Sequence, residues 1–494
     1  MGYLNPVHIQ EVLPGDKYHM GTESLIRLMP TIAPIMHKVD ITYHHFFVPN
    51  RILWKNWEDF ITGGADGKAA PAPPLLEWAD GVLPSTLDNY LGCPVTNNTT
   101  VFSVNALAWA AYDRIWFDYY RDQNLEDVEV IQLSDGVQDA LTTTRLRTLR
   151  KRAWQHDYFT SMLPYAQKGD PVTIPIDFSD ASIQAVQPPG FNPLFRKTSD
   201  GTQLGSGTPG YVQYNSFGSL TSQDGSQPGY YDPQGSLVVD GQVQTTLEDL
   251  RRASRLQEWL EKNMRAGSRY FESLLSHFGV KSPDARLQRA EYLGGSKSSM
   301  AISEVLQTSS SDSTSPQGNM AGHGINVTAG KDFSFNVPEH GHIITILNVQ
   351  PKTAYYNGLP RFLSKQDRLD YAWPEFAQLG EQPVLTKELS YRGPTAPGNP
   401  DDAILGYLPI YTDYRFNSSR VSGQMATSLE YWHLARKFDQ ADPRPVLNPS
   451  FIQCTPSKRI FAVENPNDDE LVAHILHKIT AQRPLPKYGT PTFG

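Results

Sequence analysis

The sequence predicts an all-β protein with elaborate connections, and two observations carry that expectation. Turn formers and aromatic residues are abundant together: the 494 residues include 38 Pro and 37 Gly beside 24 Tyr, 21 Phe and 9 Trp. Pro and Gly punctuate short strands and long loops, whereas aromatic side chains pack on pleated surfaces. The periodic runs are also mostly short and alternating, with helical spacing confined to a few stretches. A chain of this length can bury a sizeable core, and β-sandwiches with long insertions stay a single unit at such sizes.

Taken in order, Val39, Ile41, Tyr43 and His45 alternate with Asp40, Thr42 and His44. This is strand period, and the run turns continuously apolar at Phe46-Phe47-Val48, as the end of a buried strand does. Residues 66–90 carry four prolines and read as loop. Over 104–120, Leu107, Ala110, Ala111, Ile115 and Phe117 form a helical stripe. Val172 to Ile176 reads as a further strand. Residues 187–242 are dominated by Gly, Ser, Gln, Pro, Asp and Tyr; such a segment cannot bury a core of its own and is expected as a polar surface insertion.

A helical hairpin is expected over 245–278. Thr245-x-x-Glu248 is a capping box, and Leu247, Leu250, Leu256, Trp259, Leu260 and Met264 share a face. Gly267 ends this helix, and a second covers Arg269 to His277 before Gly279. Residues 306–325 read as Ser/Gly-rich loop. Strands are expected at Phe333–Val337, His342–Val349, Tyr407–Tyr411 and Arg459–Val463.

Composition excludes several classes of function. A formal net charge of −9 opposes a protein whose main surface binds nucleic acid, without excluding a local basic face. Two cysteines, Cys93 and Cys454, give neither a disulfide framework nor a metal-ligand spacing. The first residues show no basic stretch followed by an apolar run, and no segment is apolar enough to span a bilayer, so neither a signal peptide nor membrane insertion is expected. The Gly64–Ala69 segment lacks the spacing of a phosphate loop. No nucleophile elbow or zinc-protease motif occurs. His340 and His342 share a strand face but want a third ligand, and the acids of Asn465–Glu470 lack the pattern of a calcium loop. No catalytic residue, metal or cofactor is expected. A sugar-binding jelly roll is the main competitor among function classes, on the aromatic richness alone.

The densest basic run is Arg145-Leu146-Arg147-Thr148-Leu149-Arg150-Lys151-Arg152. Leu146 and Leu149 can anchor its backbone while Arg145, Arg147, Arg150, Lys151 and Arg152 project. These five are the candidate DNA-contacting residues, against the plainer alternative of a solvated face or a salt-bridge strip. The tail from Ala473 to Gly494 has five basic or histidine side chains and no acid, and is expected to tuck against a neighbouring subunit or to stack on bases.

A resemblance runs from near residue 40 to the end. Val48-Pro49-Asn50-Arg51 followed by Trp54 and Trp57, Tyr120-Arg121-Asp122-Gln123-Asn124-Leu125, and His156-Asp157-Tyr158-Phe159-Thr160-Ser161 are its first motifs. Ser276-His277-Phe278-Gly279-Val280, Ser282 to Arg289, Glu291-Tyr292-Leu293-Gly294-Gly295, Trp373-Pro374, Ser419-Arg420-Val421-Ser422-Gly423 and Ala481 to Pro486 continue it. In order and spacing they resemble the major capsid proteins of microviruses, in the gokushovirus-like branch. Ala290 stands where that family's pattern has Pro, and the 187–242 insertion matches none of its motifs.

The resemblance implies a single eight-stranded antiparallel jelly roll over 1–494 and not an enzyme. It implies pentamers that build a T=1 icosahedral virion shell around circular single-stranded DNA, assembled in the bacterial cytoplasm. The implied partners are further copies of the chain, a small basic DNA-binding phage protein, an internal scaffolding protein, a pilot protein, the genomic DNA and a host surface receptor. It places the 187–242 insertion at the threefold axes as a protrusion involved in attachment.

Overall fold

The computed structural model describes residues 1–96, 101–170, 247–267, 269–306, 320–393, 400–438, 444–462 and 468–485, with Val172, Thr308 and the backbone of short strands between 182 and 240. The chain divides into two compact units, one made of Met1–Lys168 with Glu261–Gly494, the other of Gly169–Leu260.

The first unit is built on two antiparallel sheets. β1 (Asn5–Val12), β2 (Lys17–Leu28) and β3 (Val39–Pro49) open the chain. One sheet has the order β1, Gly341–Pro351, β3, Glu291–Ser299. The five-stranded sheet is centred on β2, which pairs with Met320–Ala329 and Phe333–Asn336 on one edge and with Leu471–Gln482 on the other. Neighbours so distant in sequence mean that long connections, not hairpins, join most of the ladder.

β3 shows why the sequence folds this way. Its odd-numbered side chains Ile41, Tyr43 and Phe47 enter clusters shared with Ile26 and Met20 of the other sheet, so the two sheets pack through one core. Its even-numbered Phe46 and Val48 enter a second core on the opposite face, against the Leu107–Ile115 helix, Trp54 and Trp78. A strand covered on both faces needs apolar residues at both parities, which is what Phe46-Phe47-Val48 supplies. The helix is deeply buried: Trp109, Tyr112 and Asp113 join the expected stripe inside.

The second unit holds short antiparallel strands. Ser182–Ala185 pairs with Leu237–Asp240, and a four-stranded sheet joins Arg196–Lys197, Tyr230–Tyr231, Leu220–Ser222 and Val212–Tyr214. The strand expected over Val172–Ile176 lies outside the described residues apart from Val172.

Several expectations are corrected. Met320–Ala329 is a strand that begins inside the supposed Ser/Gly-rich loop, and its inward positions are Gly322, Gly324 and Asn326. A Cβ at Gly322 would stand 2.5 Å from the Ala33 carbonyl oxygen, so the strand passes too close to its neighbour for an apolar side chain to advertise it. Of the strand expected over Arg459–Val463, the described residues 459–462 form no strand: Ile460 and Phe461 are buried anchors at a turn, with one bridge from Phe461 to Thr31, and Val463 lies outside the described residues. The described part of the acid-free tail forms a strand, Leu471–Gln482, paired with β2 of the same chain, where the His477 ring lies 3.1 Å from Thr22 Oγ1; residues 486–494 lie outside the described residues. Within the supposed loop 66–90, Leu75–Trp78 pairs with Phe102–Asn105. The hairpin helices are Leu247–Ala266 and Tyr270–Phe278, the latter closed by Gly279 in the left-handed region; Met264 is buried, but Trp259 is 52% exposed, so the expected apolar face is only partly covered.

Cys93 and Cys454 are free and buried, and burial pushes both thiols up, to about 11 and about 12. His8, His44, His45 and His342 are all held down at about 4, chiefly by desolvation. An unfolded histidine titrates near 6.5, so between about pH 6.5 and pH 4 the unfolded chain binds more protons and stability falls as pH falls. Burial raises Glu381 to about 7 and also raises Glu126, Glu291 and Glu388, which work oppositely, but it lowers His37, His433 and His477 as well, so the histidines outnumber the acids. Acidifying the subunit from pH 7 to pH 4.5 is expected to lower its melting temperature, and His342→Leu is expected to weaken that dependence; a melting temperature constant over this range would contradict it.

Candidate functional site

The basic run begins in the last turn of the Ala140–Leu146 helix, which Asp139 caps by accepting from the backbone N–H groups of Leu141 and Thr142. Beyond it the chain is extended: the Arg152 N–H donates to the Gly2 carbonyl, and Lys151 bridges to Tyr3. Leu146 is fully buried and Leu149 packs on the same cluster, so the anchoring expected of the two leucines is present.

The cations do not project as expected. Arg145 and Arg150 converge on Asp113, at 3.2 and 2.8 Å, and that carboxylate is 4% exposed. Arg147 lies 2.9 Å from the buried Asp88, which also accepts from Trp109 Nε1, and 3.0 Å from Asp80. Two of these guanidinium groups lie over indoles: Arg147 over Trp78 at 4.3 Å and Arg150 over Trp116 at 4.1 Å. Stacking and paired carboxylates suit the planar guanidinium, and these contacts clamp the run onto the buried helix.

Lys151 and Arg152 differ. Among the described residues neither has a carboxylate partner: Lys151 Nζ donates to Thr455 Oγ1 and lies over the Tyr3 ring. Arg152 donates from Nη1 to Thr42 Oγ1 at 2.8 Å and Asn348 Oδ1 at 3.4 Å, and faces a cavity of about 500 Å³. The structure therefore divides the five candidate residues into three that are neutralised inside the subunit and two without a carboxylate partner among the described residues.

Other expectations about chemistry can be placed. His340 packs edge-on against Trp57, whereas His342 is inside the strand with Nδ1 lacking a hydrogen-bond partner. Among the described residues no group of three His, Cys, Asp or Glu side chains is arranged to hold a metal. Among the same residues no helix is long and apolar enough to cross a membrane. Sequence reasoning missed a surface feature: between 361 and 379, Phe362, Leu363, Leu369, Tyr371, Trp373 and Leu379 are all exposed. Exposed apolar side chains this dense in one short segment suit a protein contact.

The capsid protein (F protein) family of phages matches residues 1–493. The chain belongs to that family. Three curated relatives of this capsid-family chain are each called capsid protein VP1. That of Bdellovibrio phage phiMH2K is 37% identical over 99% of this chain and 92% of its own length. That of Chlamydia phage 1 is 34% identical over 99% and 93%, and that of Spiroplasma virus 4 is 30% identical over 99% and 92%. The resemblance to microvirus capsid proteins is borne out along the whole chain, and with it a structural rather than enzymatic role. The mainly β architecture fits the family, and the exposed apolar side chains of its capsid protein are read as contact surface.

Proposed function

We propose that this chain is the shell-forming subunit of a gokushovirus-like particle, self-assembling through pentamers into a T=1 icosahedral capsid around circular single-stranded DNA. The full-length family match carries the reading. In this reading the two sheets that share the β3 core form the jelly roll, with further strands and long connections added to the eight, and the whole chain is one capsid domain. Closed icosahedral symmetry asks one chain for several distinct contact surfaces, and the exposed aromatic segment 361–379 and the half-exposed helix around Trp259 supply candidates.

The negative net charge leaves condensation of the DNA to a separate small basic protein, and assembly to an internal scaffolding protein and a pilot protein in the bacterial cytoplasm. Of the basic run, Lys151 and Arg152 are the residues we assign to phosphate, because Arg145, Arg147 and Arg150 are held by acids. The 187–242 segment, within the second unit, is assigned to a protrusion at the threefold axes that contacts the host receptor.

Deleting residues 200–235 is expected to leave particles of normal size that no longer adsorb to host cells. Adsorption counts and electron microscopy check this, and loss of particles would remove the protrusion assignment. Purified particles are expected to hold nuclease-resistant circular single-stranded DNA; empty or double-stranded contents would contradict the enclosure.

A further inference from the structure

One edge of the first unit, where its two sheets meet, is held by histidines. β1 belongs to one sheet and Leu471–Gln482 to the other, where its only ladder among the described residues is with β2. Side-chain hydrogen bonds tie the two strands at two points. His477 Nε2 lies 3.2 Å from the Val7 carbonyl oxygen, and Arg483, just beyond the strand, donates from Nη2 to the Glu11 carbonyl at 3.2 Å. Val7 is where the β1 register slips: Pro6 faces Ile346 and His8 faces Thr345, which leaves Val7 without an opposite residue. A bulge of this kind turns its backbone out of the ladder, and here His477 meets the carbonyl.

The hydrogen bonds fix the neutral tautomers. A carbonyl only accepts, so the proton of His477 sits on Nε2, and Nδ1 accepts from Thr22 Oγ1 at 3.1 Å. The Tyr18 hydroxyl donates to Gln10 Oε1 at 2.9 Å and therefore accepts from His8 Nε2 at 3.1 Å. The His8 and His477 rings stand 4.9 Å apart, centre to centre. His45 of β3 feels the charge of both, and its Nδ1 lies 2.9 Å from Thr345 Oγ1. His44, bonded to Tyr120, also acts on His45. The other charges of these strands are engaged or exposed. Glu23 pairs with Lys478, Asp16 with Arg483 at 3.4 Å and His19 with Asp332 at 3.5 Å. Glu11, Lys17, Arg27 and His474 are exposed. Among the described residues no carboxylate acts on His8, His45 or His477.

We propose that this edge is a proton-operated latch: neutral His8 and His477 hold Leu471–Gln482 to β1, and their protonation in mild acid frees that strand while the core around β3 stays folded. A second proton on His477 turns Nδ1 into a donor, so the buried Thr22 hydroxyl can no longer donate to it. It also sets a positive ring 4.9 Å from His8 with no carboxylate to offset the charge. Desolvation, aided by the neighbouring His477, holds His8 down at about 4, and desolvation lowers His477 as well. A freed ring titrates near 6.5, so opening takes up protons and acid favours the open form as pH falls from about 6.5 towards about 4. Both rings are partly exposed, so protons reach them without unfolding of the core. Leu471–Gln482 is the piece that yields because most of its side chains are exposed, whereas β3 is buried along nearly its whole length. The latch does not depend on the shell reading, since it lies within one chain.

Hydrogen–deuterium exchange of the whole purified, unassembled protein tests this at pH 7.5 and pH 5.0, with rates corrected for the intrinsic effect of pH. Peptides within 471–482 are expected to exchange at least about tenfold faster at pH 5.0, and peptides within 39–49 to keep their protection. His477→Gln keeps an N–H for Val7 but takes no proton, and is expected to cut the response to below about threefold. His8→Gln, which removes the facing charge, is expected to reduce it clearly. His340→Gln, whose ring packs on Trp57, is expected to leave it unchanged. Unchanged protection of 471–482 at pH 5.0 would overturn the latch, and so would a full response in both seam variants. Equal loss of protection in 39–49 and 471–482 would mean global acid unfolding and would overturn it too; these wild-type readings decide even where a variant fails to fold.

Discussion

Trp54→Ala is expected to destabilise the subunit by about 3–5 kcal/mol, the range for deleting a buried indole. Trp54 is 1% exposed in the cluster that joins β3 to the Leu107–Ile115 helix, and Phe60 lies 5.2 Å away, ring to ring. Its indole N–H donates to Asp135 at 2.7 Å, tying in the segment before the Ala140–Leu146 helix. The substitution therefore opens a cavity and frees an acceptor together, although Asn56 still donates to Asp135. Trp57, only partly buried beside it, is the control, and Trp57→Ala is expected to cost clearly less. Urea unfolding of unassembled subunits measures both; equal losses for the two variants would place the weight of the core elsewhere.

Asp113→Ala is expected to cost about 3–5 kcal/mol by a different route, because it strands two cations at a buried acid's position. Arg145 and Arg150 both point at this carboxylate, and Arg150 is further confined over Trp116. Removing one member of a buried ion cluster is far worse than removing all of it. The triple variant Asp113→Ala, Arg145→Met, Arg150→Met is accordingly expected to recover much of the lost stability in the same unfolding measurement. A loss below about 1 kcal/mol for Asp113→Ala would mean that solvent screens the cluster as it screens surface pairs.

The strands that sequence reasoning found are those whose inward positions are apolar. β3 and Gly341–Pro351 declare themselves because Ile41, Tyr43, Ile344 and Ile346 need burial. Met320–Ala329 was hidden because glycines occupy its crowded inward positions, and Leu471–Gln482 because its few inward residues alternate with His474, Lys478 and other exposed polar groups. The apolar pair Ile460-Phe461 marks anchoring side chains with no ladder to extend. The character of the basic run was hidden for another reason. Its neutralising acids, Asp80, Asp88 and Asp113, come from segments 32 to 67 residues upstream of their partners, and no local pattern joins them. Arg152 was singled out with its neighbours on charge alone; its separation from them, and the bulge between Tyr292 and Gly294 in the strand beside β3, needed the sheet register. The capsid assignment, by contrast, was carried by ordered motifs such as Glu291 to Gly295, whose meaning lies in family likeness rather than in local chemistry.

The measurement closest to the central claim is sedimentation with negative-stain microscopy of the expressed protein, alone and with its phage's other structural proteins. Pentamers from the subunit alone, or closed shells of one small uniform diameter with the companions present, are expected. A chain that stays monomeric under both conditions would contradict the proposal that it builds the shell.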